Sequence, residues 1–274
     1  KGRQMVNCDK EEGILRRRNT VMDEKNKYTG MDILDLAQMA PESVFDEARK
    51  ILETLVGYKE LRMMYACALK EVRTKFEVLD VEFNVRYSRN PINAIHTRLK
   101  SNQSILEKMQ RRRIPFSLEN LEARIQDVAG VRVICSYVDD IYRLSEALLR
   151  QDDVKLIAQK DYIQQPKPNG YRSLHLIVRV PVFFADQRRD LPVEVQIRTI
   201  AMDFWASLEH QLKYKQNVPE QEAIVEQLRH CAQRVSDLDE EMLAIRRRIE
   251  AAEDKPSEDD ILLEKLMRLE TPLE

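Results

Sequence analysis

Glu194, Gln196 and Arg198 alternate with Val193, Val195 and Ile197. A period of two is that of a β-strand, so the three polar side chains share one face, roughly 7 Å apart. The same alternation sets His175 and Arg179 opposite Leu174, Leu176, Val178 and Val180, and Arg132 opposite Val131, Val133, Cys135 and Tyr137. This predicts a sheet with an apolar face for helices and a second face carrying an acid, an amide, an imidazole and guanidinium groups. Any one of these strands alone reads equally well as an ordinary half-exposed strand. Taken together they point to a cleft. A second carboxylate, Asp127, lies in a helix-to-strand turn three residues before Gly130. Hard oxygen ligands supplied one or two at a time hold Mg²⁺ beside substrate phosphates, so Asp127 and Glu194 are the candidate metal ligands and catalytic carboxylates. Asp127 by itself is also an unremarkable turn residue.

Residues 98–113 hold six cations, Arg98, Lys100, Lys108, Arg111, Arg112 and Arg113, against the single anion Glu107. The whole chain has a formal net charge of −2, so this is a local excess rather than a property of the composition. It suits a polyphosphate, with Arg for planar contacts and Lys as a point charge. On a helix, Lys100, Lys108 and Arg111 come near one face. Contact with RNA is an equally good use of such a run. The segment Lys167-Pro-Asn-Gly-Tyr-Arg-Ser-Leu-His175 is a Pro/Gly turn entering a strand. It places Tyr171 where its ring can stack on a base and His175 where it can reach a phosphate. The chain has no Walker A sequence and no GxGxxG, and none of His96, His175, His210 and His230 is followed by Asp.

The elements that must hold these groups follow from periodicity. Residues 1–40 carry mixed charge and read as a loosely ordered tail. From 41 to 90 the pattern is helical, with one apolar stripe of Leu61, Met64, Tyr65, Ala68, Leu69, Val72, Phe76, Leu79 and Phe83. Tyr65 is expected to keep its hydroxyl at the wet edge of that stripe. Residues 91–215 form the α/β part: a basic helix over about 91–113, a short helix after Ser117, strands over 131–137, 154–163, 174–184 and 191–199, and helices over 140–150 and 201–215. Residues 216–274 begin with a heptad seam of Ile224, Leu228, Cys231, Val235, Leu238, Met242, Ile245 and Ile249. That seam wants a partner, either the N-terminal stripe or another subunit, and both uses are expected in a homo-oligomer. A last short helix is capped by Ser257 with Asp260. Charged residues at 34% and hydrophobic ones at 43% describe a globular chain. No apolar run reaches the roughly 20 residues of a membrane helix, and Cys8, Cys67, Cys135 and Cys231 show no paired spacing. A cytoplasmic protein with free thiols is expected.

Five motifs, in order, resemble the synthetase domain of the RelA/SpoT-type alarmone enzymes, and in particular the stand-alone small alarmone synthetases. They are Asp127-Val-Ala-Gly-Val-Arg132, Lys160-Asp-Tyr-Ile163, Asn169-Gly-Tyr-Arg-Ser-Leu-His175, Glu194-Val-Gln-Ile-Arg-Thr199 and Ala201-Met-Asp-Phe-Trp-Ala-Ser-Leu-Glu-His210. The resemblance covers about Arg98 to Lys215. It implies a nucleotidyltransferase-like α/β (α+β) fold with a mixed sheet of about five strands. It implies transfer of the β,γ-diphosphate of ATP to the 3′-hydroxyl of GDP or GTP, with Mg²⁺. By motif, Arg98 and Arg132 sandwich adenine, while Lys100, Lys108 and Arg111 hold the ATP phosphates. Asp127 and Glu194 bind Mg²⁺, and Glu194 also serves as base. Tyr171 stacks on guanine with Gln196 nearby, and Lys167 and His175 contact the acceptor phosphates. Bifunctional relatives carry a His-Asp hydrolase domain for which the N-terminal region here is too short, so synthesis without hydrolysis is expected. A homotetramer is implied, and single-stranded RNA is a possible partner. The competing readings are another acceptor, either a tRNA 3′ end or an adenine nucleotide, and an RNA-binding oligomer of the same fold.

Overall fold

The computed structural model describes residues 42–87, 89–213 and 221–252, together with Leu262 and Leu266. The expected tail over 1–40 and the cap at Ser257 and Asp260 lie outside the described residues. Residues 1–57 and 58–274 form two compact units. In the first, the described part is the opening of helix α1 (Glu42–Tyr87), with Arg49 and Glu53 paired one turn apart at 3.0 Å.

In the second unit a five-stranded sheet is built from β1 (Ile92–Leu99), β2 (Ala129–Cys135), β3 (Lys155–Asp161), β4 (Leu174–Phe183) and β5 (Arg188–Thr199), in the spatial order β1-β2-β5-β4-β3. β2 and β5 run parallel and the other pairs antiparallel, so the sheet is mixed as expected. Its helices are α2 (Asn102–Arg111), α3 (Leu118–Arg124), α4 (Val138–Leu149), α5 (Ile200–Lys213) and α6 (Gln221–Ala252). Ser101 and Ser117 cap α2 and α3, their hydroxyls accepting from the amides of Ser104 and Asn120.

The apolar face forms as the alternation requires. Val131, Val133, Leu174, Leu176, Val178, Val193, Val195 and Ile197 are buried in one cluster with Leu61, Tyr65, Ala68, Val72 and Phe76 of α1. Burial of side chains of this kind stabilises by about 1.5–3 kcal/mol each. Tyr65 departs from expectation: it is 0% exposed and its hydroxyl has no hydrogen-bond partner. Burial, with the Glu122 charge adding to it, pushes its pKa up to about 12.

Two further expectations are corrected. The basic segment from 91 is not one helix. Its first half is edge strand β1, in which β-branched Ile92, Ile95 and Thr97 favour extension. Lys100 therefore lies between strand and helix, and not on a helical face with Lys108 and Arg111. The N-terminal stripe packs on the sheet and α6 packs elsewhere, on α5 through Trp205, Ala206 and Ala232, with Leu228 and Val235 alongside. The face of α6 that this docking buries runs through Ala232, Ser236 and Asp239. Leu238, Met242, Ile245 and Ile249 of the heptad seam stay exposed.

Docking of α6 is polar as well as apolar. Trp205 Nε1 donates to Leu228 O at 3.0 Å, Thr199 Oγ1 donates to Asp239 at 2.7 Å, and Arg246 makes a two-pronged contact with Asp139 of α4 at 2.6 and 3.1 Å. Among the described residues no helix is long and apolar enough to cross a membrane.

Candidate active site

Strand register assembles the polar face. One row of facing residues runs His96, Arg132, Gln196, His175, Lys160 across all five strands. The next row holds Arg98, Gly130, Glu194 and Ile177. Gly130 contributes no side chain to its row, which leaves the floor open between Arg98 and Glu194. Arg98 and Arg132 thus stand on the same face of adjacent strands, Arg98 exposed and Arg132 half-buried.

The first cluster centres on Asp127. Lys100 Nζ and Lys108 Nζ both reach Asp127 Oδ2, at 2.7 and 2.6 Å. Burial opposes ionisation of this carboxyl, but the hydrogen bonds from Lys100 and Lys108 outweigh it and hold Asp127 below the ordinary carboxylate range. Burial in turn lowers the Lys108 ammonium, with Asp127 acting against that shift. The other carboxylate oxygen, Oδ1, is buried without a partner. A buried polar atom left without a partner is costly unless a cation or donor completes it. Arg111 sits in the last turn of α2 and is exposed, as are Arg112 and Arg113 beyond it.

The second cluster is a closed ring of five side chains. Arg198 Nη2 donates to Tyr171 Oη at 2.7 Å, and Tyr171 Oη lies 2.8 Å from His175 Nε2. His175 Nδ1 is 3.4 Å from Glu194 Oε1, Gln196 Nε2 donates to Glu194 Oε2 at 3.1 Å, and Arg198 Nη2 donates to Gln196 Oε1 at 2.7 Å. With Nδ1 facing Glu194, Nε2 is free to accept from the Tyr171 hydroxyl. Burial raises the Glu194 carboxyl, yet His175 overrides it and the net shift is downward, while the nearby Asp127 charge pulls the other way. Glu194 is therefore a carboxylate at neutral pH, and it senses Asp127.

Two cations lie against the Tyr171 ring. Lys167 Nζ lies 4.5 Å from the Tyr171 ring and 4.6 Å from that of Tyr162, and Arg198 Cζ lies 5.2 Å from the Tyr171 ring. The loop bearing Tyr171 is held by Gly170, whose φ of +88° favours glycine, and which packs directly against Ala232 of α6. Asn169 donates to Glu209 of α5 at 3.1 Å. His175 already uses both ring nitrogens, so a phosphate contact from it requires Tyr171 or Glu194 to let go.

The structure thus brings Lys100, Lys108 and Asp127 together, and Tyr171, His175, Glu194 and Gln196 together. Asp203 was not singled out from sequence, and Arg198 was placed on the polar face without a role. Asp203, in the first turn of α5, accepts from Arg198 and Arg132 at 3.2 and 3.3 Å. Arg198 shares the period-two face of Glu194 and Gln196, which was the available signal. Asp203 looked like any acid in a first helical turn. Among the described residues no three His, Cys, Asp or Glu side chains converge as a metal site.

Comparison with known proteins agrees with this geometry. Residues 97–219 match the region found in RelA/SpoT proteins. The chain is 40% identical over 205 residues to the GTP pyrophosphokinase YwaC of Bacillus subtilis, covering 75% of this chain and 96% of that protein. It is 39% identical over 201 residues to the GTP pyrophosphokinase YjbM of the same organism, covering 73% and 90%. Among solved structures, small alarmone synthetase 2 from Bacillus subtilis superposes with a TM-score of 0.63 at 42% identity, over 70% of this chain and 98% of that one. Small alarmone synthetase 1 from Bacillus subtilis, bound to its product pppGpp, gives a TM-score of 0.64 at 37% identity, over 70% and 98%. With near-complete coverage of relatives at such identity, and with residues of the family motifs gathered around one sheet face, the chain belongs to the RelA/SpoT family, among the small alarmone synthetases.

Proposed function

We propose that this protein is a GTP pyrophosphokinase that transfers the β,γ-diphosphate of ATP to the 3′-hydroxyl of GDP or GTP, releasing AMP. The observation that carries this reading is the placement of Glu194. The ring through Tyr171, His175, Gln196 and Arg198 fixes it, and it lies within electrostatic reach of Asp127, on which Lys100 and Lys108 converge. A carboxylate that must accept a proton from a hydroxyl is thereby set beside the cations that must neutralise a diphosphate. Diphosphate transfer needs alignment and charge neutralisation more than covalent help from the protein.

Lys100 and Lys108 bind the phosphates of ATP, with Arg111 at the exposed end of α2, and Arg98 and Arg132 flank adenine. Tyr171 stacks on guanine with Gln196 close by. Lys167, which lies over that ring, moves toward the acceptor phosphates as the base arrives. His175 orients Glu194 through Nδ1 and reaches the acceptor through Nε2 once Tyr171 releases it. The 3′-hydroxyl proton goes to a Glu194 oxygen as the new O–P bond forms and the bond between the α- and β-phosphates breaks.

Mg²⁺ fits the acidic pair. The unpartnered Asp127 Oδ1 is a ready oxygen ligand, and Glu194 supplies a second. Such pairs hold Mg²⁺ jointly with substrate phosphates, where the ion neutralises charge on the transferring group. The exposed seam of α6 supports a homo-oligomer, a tetramer in our reading, and a cytoplasmic protein is in keeping with nucleotide substrates. Single-stranded RNA remains a candidate partner for Arg111, Arg112 and Arg113.

The test is an acceptor panel. The protein with Mg²⁺ and labelled ATP is offered GDP, GTP, ATP or tRNA. Label transferred to GDP or GTP is the expected result, and label on tRNA or an adenine nucleotide alone would overturn the assignment.

A further inference from the structure

We propose that Asp203 is a positioning residue that, through Arg198, couples the ATP half of the site to the acceptor half. The inference rests on the assignment of Arg132 to adenine and Tyr171 to guanine made above. Its basis is an unbroken chain of contacts. Asp203 Oδ1 accepts from Arg132 Nη1 at 3.3 Å and from Arg198 Nη1 at 3.2 Å. Arg198 then reaches Tyr171 twice: Nη2 donates to the phenolic oxygen at 2.7 Å, and the guanidinium lies 5.2 Å from the ring centroid. One carboxylate on α5 thereby joins a group on β2 to a group on the loop before β4.

The two arginines are unequal. Arg198 is 4% exposed and cannot swing into solvent, being held by Tyr171, Gln196 and Asp203. The Arg132 side chain is 37% exposed and has room to leave. Two guanidinium groups on one oxygen repel each other, and the shared anion keeps them together. Without its charge Arg132 drifts outward, while Arg198 stays beneath Tyr171 with one contact fewer. Conversely, a base packed on Arg132 fixes Arg132, hence Asp203, hence Arg198 and the Tyr171 ring. The first nucleotide then orders a chain that the second does not have to order again. Each nucleotide must tighten the other by the same factor, because coupling between two binding equilibria is reciprocal.

The experiment titrates GDP into the full chain with Mg²⁺, with and without saturating α,β-methylene ATP, whose α–β linkage cannot be cleaved. In the wild type the analogue tightens GDP by roughly 5-fold or more, the lower end of ordinary coupling. In Asp203→Asn, which keeps the shape and removes the charge, the factor falls to near one. The KM values for ATP and acceptor both rise, while kcat changes less. Arg132→Gln leaves buried Arg198 untouched and also loses the coupling, and adding Asp203→Asn to it raises the ATP KM no further. Asp203→Glu, which keeps the charge, recovers part of the factor. Wild-type coupling in Asp203→Asn overturns the proposal, as do additive effects of the two substitutions on the ATP KM. A wild type that makes a guanosine 3′-diphosphate while binding its nucleotides independently overturns this proposal alone. A wild type that makes none overturns the functional reading as well.

Discussion

Replacing Gly170 with alanine should weaken acceptor binding more than ATP binding. Two costs arise at this position. The backbone has φ +88°, a region that disfavours residues with a Cβ by roughly 1–2 kcal/mol. The new Cβ would also stand 2.5 Å from Ala232 Cβ. Carbon atoms in contact prefer about 3.5–4.0 Å, so loop and helix must separate by about 1 Å. The neighbouring Tyr171 moves with the loop, and its 2.7 Å contact with Arg198 and 2.8 Å contact with His175 stretch. If the backbone cost is all drawn from the binding-competent loop, the acceptor KM rises about 5- to 30-fold, since each 1.4 kcal/mol is a factor of ten. Steady-state kinetics with each substrate varied in turn gives both KM values. Ala232→Gly removes the colliding atom but not the backbone strain, so the double variant should recover only part of the loss. An unchanged acceptor KM in Gly170→Ala would refute the claim that the contact with α6 sets the Tyr171 loop, and full recovery in the double variant would refute the backbone contribution.

Glu194→Gln keeps the size of the side chain and removes the proton acceptor, so synthesis should fall by about 10²-fold or more, while calorimetry still detects both nucleotides binding. Tyr65→Phe deletes a buried hydroxyl with no partner and should raise stability by about 1–3 kcal/mol in denaturant unfolding; a loss would mean that the hydroxyl is satisfied. Burial opposes ionisation of Asp139, but Arg246 holds its carboxyl below the ordinary range. A depressed carboxylate stabilises the fold above its unfolded pKa near 4, and that contribution is lost as pH falls through the lower folded value. Asp139→Asn should therefore cost roughly 1–3 kcal/mol at pH 7 and flatten the acid limb of the stability profile below about pH 4. An acid limb as steep as that of the wild type would count against the Arg246 contact as an anchor of α6.

Much of this arrangement was legible in the residues. Alternation along Leu174–Val180 and Val193–Arg198 separated the apolar and polar faces correctly, because a sheet covered on one side imposes that pattern directly. β1 was not legible. It is an edge strand with a register shift between Ile92 and Ala94, and its exposed Arg98 reads as the start of the basic helix that follows. The seam of α6 was real as a pattern and misleading as a contact map. Small and polar Ala232, Ser236 and Asp239 let α6 approach α5, and the larger seam residues from Leu238 onward face away. Tyr65 misled for a related reason, since an aromatic with one polar atom reads as amphipathic even where packing gives that atom no exit. The convergence of Lys100 and Lys108 on Asp127, and of Arg132 and Arg198 on Asp203, depends on which elements meet in space. Spacing along the chain does not encode it.

The most direct test of the central claim is the product balance of the wild-type reaction with ATP, GTP and Mg²⁺, resolved by ion-exchange chromatography. The account predicts AMP and a guanosine carrying a 3′-diphosphate in equal amounts. ADP in place of AMP would mean that a single phosphoryl group is transferred, and AMP without the guanosine product would mean that water is the acceptor; either result would contradict it.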